Sequence, residues 1–71
     1  MKRIIRAFDP EHKPIMALIE QESRLANWHN AEGMRVIAKS KYGVRITKLQ
    51  GIWNRIYVED EDKFMWLMLK I

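Results

Sequence analysis

Seventy-one residues, with thirteen lysines and arginines against nine acids and a net charge of +4, bound this chain to one small domain, residues 1–71. The absence of cysteine excludes a disulfide framework and any thiolate metal site, and two histidines need carboxylates to complete a structural zinc. Nearly half of the residues are apolar, enough for a core, but a domain this short has little stability to spare, and a homodimer is one way to gain it.

In chain order, Lys2 to Phe8 alternates weakly around Ile4 and Ile5 and predicts a first strand. Met1-Lys2-Arg3-Ile4-Ile5-Arg6 lacks the apolar region of a secretory signal. Asp9-Pro10 ends the strand, and Pro14 is suited to the first turn of a helix, where its missing N–H has no partner to lose. Ile15, Leu18, Ile19, Glu22, Leu25 and Ala26 then follow helical spacing with one polar interruption, predicting a helix to about Trp28. Glu20 and Arg24 stand four apart on its other side, a helix-supporting pair.

Asn30 is suited to capping a second helix, with Glu32 in its first turn and a stripe of Met34, Ile37, Ala38 and then Lys41 or Tyr42. Gly43 fits the left-handed stop that follows a helix. After it the period changes to two. Val44, Ile46 and Lys48 alternate with Arg45, Thr47 and Leu49; then Ile52, Asn54, Ile56 and Val58 alternate with Trp53, Arg55 and Tyr57. Gln50-Gly51 between them predicts a tight turn and two antiparallel strands. Glu59-Asp60-Glu61-Asp62 reads either as a charged turn before a strand from Phe64 to Ile71, or as the start of a short helix capped by Asp60. The second is preferred here, with a last strand over Leu67 to Ile71. The expected class is α+β, a small antiparallel sheet with two helices packed on one face.

Tyr42-Gly43-Val44-Arg45-Ile46, Arg55-Ile56-Tyr57-Val58-Glu59-Asp60-Glu61-Asp62 and Phe64-Met65-Trp66-Leu67-Met68-Leu69-Lys70 resemble the C-terminal part of short tailed-bacteriophage proteins. Those end in a strand, a few acids, and an apolar segment finishing in a basic and a large apolar residue. They mostly lack an assigned activity, so no functional residue carries over. The resemblance implies a setting, the host cytoplasm, in which a small protein binds and redirects a host protein or nucleic acid. It also favours the ending with a helix and then a strand.

Catalytic constellations are absent from the sequence. His29 and Glu32 are three apart, but Asn30 starts a new helix between them, so with His12 they make no convincing metal site. The acids from Glu59 to Asp62 lack the glycine and spaced oxygens of a calcium loop. Ser23 and Ser40 have no histidine in a nucleophile–base relation, and Gly33, Gly43 and Gly51 are too isolated for a phosphate loop. The expectation is a protein that is not an enzyme and takes no cofactor or metal.

Charge is polarised along the chain. Residues 1–34 balance Lys2, Arg3, Arg6, Lys13 and Arg24 against Asp9, Glu11, Glu20, Glu22 and Glu32. Residues 35–58 carry Arg35, Lys39, Lys41, Arg45, Lys48 and Arg55 with no acid, and the remainder is net acidic. The basic middle should attract an anionic partner. If Arg45, Thr47, Trp53, Arg55 and Tyr57 share an exposed face, guanidinium and aromatic groups alternate across it and suit phosphates and bases. The competing expectation puts Trp53 and Tyr57 beneath the helices and Ile52, Ile56 and Val58 outside. Six consecutive apolar residues, Phe64 to Leu69, exceed what a thin domain can bury and are far short of the roughly 20 a membrane helix needs. Some of them then face a protein partner. The function expected is a cytoplasmic binding protein that modulates a host protein through Lys41, Arg45, Lys48, Trp53, Arg55, Tyr57 and Trp66. Nucleic acid is the alternative partner, and no membrane is involved.

Overall fold

The alternation over residues 44–58 produces a hairpin, which a short strand extends along one edge and the helices cover on one side. A computed structural model describes residues 3–71, in the order β1 (Ile4–Arg6), α1 (His12–Leu25), α2 (Ala31–Tyr42), β2 (Val44–Leu49), β3 (Ile52–Val58) and α3 (Glu61–Lys70). The three strands are antiparallel in the order β1-β3-β2. Gln50 and Gly51, both at positive φ (53° and 80°), make the two-residue turn whose twist matches its strands.

Ile5, Val44, Ile46, Ile56 and Val58 form the buried face of the sheet. Against it lie Ile15, Met16 and Ile19 from α1, Met34, Ala38 and Tyr42 from α2, and Phe64 and Leu67 from α3. The α+β class with helices on one face is therefore the observed architecture, and the short helix preferred after Asp60 forms as a longer third one. A shortest extent of 18 Å is that of two layers. No helix is long and apolar enough to cross a membrane among the described residues.

Several expected boundaries move for local reasons. The first strand was expected over Lys2 to Phe8, but it is limited to Ile4–Arg6, and Lys2 lies outside the described residues. It stops because Asp9 closes a turn on Arg6: the Arg6 N–H donates to Asp9 Oδ2 at 2.8 Å and the Asp9 N–H to the Arg6 carbonyl at 2.9 Å. The first helix begins at His12, ahead of Pro14, and ends at Leu25, short of Trp28. Its stop is a Schellman motif. Asn27 takes positive φ (56°), the Trp28 N–H reaches the Ser23 carbonyl at 2.9 Å, and the Asn27 N–H reaches that of Arg24 at 3.0 Å. The buried stripe accordingly runs through His12, Ile15, Met16, Ile19 and Ser23, and Leu25, expected inside, is 76% exposed.

Asn30 and Asp60 cap as expected: Asn30 accepts from the Gly33 N–H at 2.7 Å and Asp60 from that of Lys63 at 3.2 Å. Gly43 stands at φ 61°, the left-handed stop. The terminal strand over Leu67 to Ile71 does not form; α3 continues to Lys70. From Glu61 to Lys70 no residue is β-branched, and leucine, methionine and lysine favour helix, so nothing ends the helix once Asp60 has started it.

Candidate functional site

The side of the sheet away from the helices is uncovered, and register sets its residues in two cross-strand rows. Ile4, Tyr57 and Arg45 are opposed across the three strands in one row; Arg6, Arg55 and Thr47 form the next. Each alternates with a buried neighbour, so all six project to the open side. Arg45 stacks on Tyr57, its guanidinium carbon 4.3 Å from the ring centroid, and its Nε lies 3.6 Å from Glu59 Oε2 at the rim. This is the acidic cluster folding back on the basic strands. Thr47 Oγ1 donates to the Arg55 carbonyl at 3.4 Å.

Arg6 and Arg55 are different. They are cross-strand partners, and neither has an acid within ion-pair distance among the described residues. Like charges directly opposed on a sheet destabilise it.

Trp53 leaves this face. Thr47 pairs with Arg55 but Lys48 pairs with Trp53, so Asn54 is an extra residue and a β-bulge shifts the phase of the strand. Trp53 thereby turns to the helical side and packs half-buried against the core. Its ring is approached there by Lys48 Nζ at 4.6 Å and by the Arg35 guanidinium carbon at 5.5 Å. Of the two expected arrangements each contributes half: Tyr57 is outside, Trp53 inside, and Ile56 and Val58 belong to the core.

The expected binding residues therefore do not share one surface. Arg45, Arg55 and Tyr57 are together on the open sheet. Lys48 and Trp53 lie behind it. Lys41 is tied to Glu22 of α1, which holds the Glu22 carboxyl below its usual range and raises the lysine. Trp66 stands on the outer side of α3, 66% exposed, between Met65 and Leu69. Sequence reasoning missed Arg6, Ile4 and Arg35. The alternation of Arg6 with Ile5 was readable, but its neighbour Arg55 depends on β1 pairing with β3, which no local pattern announces.

Two shallow grooves flank these elements. One, about 490 Å³, runs between the end of α2 and the start of α3 and is lined by Lys39, Asp60 and Lys63. The other, about 530 Å³, lies between α1 and the hairpin and is lined by His12, Met16, Ile52 and Trp53. His12 is buried with Nε2 unpartnered, and burial lowers its pKa against the smaller opposite pull of Asp9. His29 sits 3.5 Å from Glu20 Oε1, beside the Arg24–Glu20 pair. No three histidines or carboxylates converge on a metal position among the described residues. Comparison with protein-family models, curated proteins and solved structures finds no match.

Proposed function

We propose that this chain is a non-enzymatic binding protein that docks an acidic surface of another protein onto the open face of its sheet. The observation that carries this is the Arg6–Arg55 pair, opposed across neighbouring strands and without an acid in ion-pair distance among the described residues, beside Tyr57 and Arg45. A like-charge pair costs the fold on the order of 0.2–1 kcal/mol unless something neutralises it. Arginine and tyrosine are also the residues that most often dominate protein interfaces. The setting implied by the C-terminal resemblance makes the partner a host protein of a bacteriophage.

Nucleic acid is the second reading, favoured by the same unpaired guanidinium groups. It is the weaker one because the bulge removes Trp53 from the face and leaves Tyr57 as the one aromatic ring among its paired strand residues, already covered by Arg45.

One substitution separates function from stability. Arg55→Glu replaces a repulsive cross-strand pair by an attractive one, so thermal stability should rise slightly while recovery of the partner by tagged protein is lost. Recovery should also fall as salt rises from about 50 to 200 mM, since the contact is between opposite charges. Partner recovery that survives both Arg55→Glu and Arg45→Glu rejects the sheet face. Binding of single-stranded oligonucleotides that falls steeply over the same salt range, with no protein recovered, selects the second reading.

A further inference from the structure

A helix that is apolar on one stripe packs on that stripe; α3 is apolar on two. Phe64, Leu67 and Met68 face the core, and Met65, Trp66 and Leu69 form an opposite ridge, respectively 64%, 66% and 76% exposed. With Asp62, the ridge follows the spacing i, i+3, i+4, i+7 along the outer side of the helix. We propose that this ridge is covered by α3 of a second copy of the same chain, packed antiparallel about a two-fold axis.

Charge selects the second copy as the occupant. The two ends of α3 are oppositely charged: the first turn is net acidic, with Glu61 and Asp62 against Lys63, and the last turn carries Lys70. A two-fold axis passing beside Trp66 sets position 62 of one helix against position 70 of the other, because the two numbers lie equally far from 66. Asp62 then meets Lys70 twice, once on each side, while the two tryptophans meet at the centre and Met65 lies along the partner helix. Lys70 sits on the flank of the ridge, and its Nζ, 3.5 Å from the Tyr42 hydroxyl within one copy, has to swing outward to make this pair. An isologous contact needs such self-complementarity, and a partner of single-signed charge does not fit both ends. The ridge is one helix wide, below the ~800 Å² per partner of a standard interface, so the dimer should be weak and concentration-dependent. It uses a surface distinct from the open sheet, and either proposal stands or falls without the other.

Sedimentation equilibrium on the intact chain tests this. The expected result is a monomer–dimer equilibrium in the micromolar to millimolar range, with Trp66→Ala raising Kd at least about tenfold while circular dichroism remains unchanged. Asp62→Lys and Lys70→Asp should each weaken the dimer, and the double charge swap should bring it back. A monomer at every concentration overturns the proposal. So does a dimer insensitive to Trp66→Ala, or a double swap no better than either single change.

Discussion

Gly43 joins two requirements at one residue. Its φ of 61° suits a position without a side chain, and its carbonyl accepts from both the Glu59 N–H (2.8 Å) and the Asp60 N–H (2.9 Å). A Cβ there would stand 2.4 Å from Cβ of Asp60, the residue that caps α3. Gly43→Ala should therefore lower stability by about 2 kcal/mol or more, well beyond the ~1 kcal/mol of a left-handed alanine alone, as measured by urea unfolding. The first requirement is readable from a glycine after a helical stripe. The second is not, because Asp60 is seventeen positions away in the chain. At Gly33 the partner is only five positions away: no helical pattern requires glycine there, yet a Cβ would lie 2.1 Å from the Trp28 carbonyl oxygen.

The elements were legible where local chemistry decides them: the Asn30 and Asp60 caps, the Gly43 stop and the Gln50-Gly51 turn each depend on residues a few positions apart. The bulge at Asn54 was not legible, since an extra residue appears only when two strands are paired. Its consequence is measurable. Trp53→Ala removes a ring packed on the core and should cost about 2 kcal/mol of stability, whereas Tyr57→Ala should cost less than about 1 kcal/mol and act on partner binding instead. Equal losses of stability for the two would contradict the division of the hairpin between its faces. The failed terminal strand has the same origin as the successful caps: Phe64 to Leu69 suits a buried strand or a helix equally, and the cap three residues before Lys63 settles which.

At the scale of the molecule, one two-layer body carries two outward surfaces of opposite kind, a cationic sheet face and an apolar ridge. Its acid stability depends on His12, buried in α1, and on Glu22, paired with Lys41 of the neighbouring helix. His12, buried in α1 with a lowered pKa, contributes stability that is fully present above the ordinary histidine value of 6.5 and is lost as pH falls from there through its folded pKa. Glu22, lowered by its hydrogen bond to Lys41 across α1 and α2, acts in the same direction but only as pH falls below 4.5. Stability measured by urea unfolding should thus decline in two steps. His12→Leu should abolish the upper one and raise stability at neutral pH by about 1 kcal/mol, because it removes an unpartnered buried nitrogen. An unchanged profile between pH 7 and 5 in that variant would assign the upper step to another group.

The sequence by itself determined the class, the hairpin and its turn, the Asn30 cap, the acid-free basic middle, and the surplus of apolar residues near the C-terminus, and it offered the Asp60 cap as the preferred of two readings. Each of these is a matter of period, propensity or composition within a window of a few residues. Tertiary structure alone decided that Trp53 and Tyr57 part company, that Arg6 comes to lie beside Arg55, and that Met65, Trp66 and Leu69 are the part of the surplus left outside. Those outcomes follow from strand order, register and the limited area of one sheet face, which are properties of paired elements and are absent from any single one.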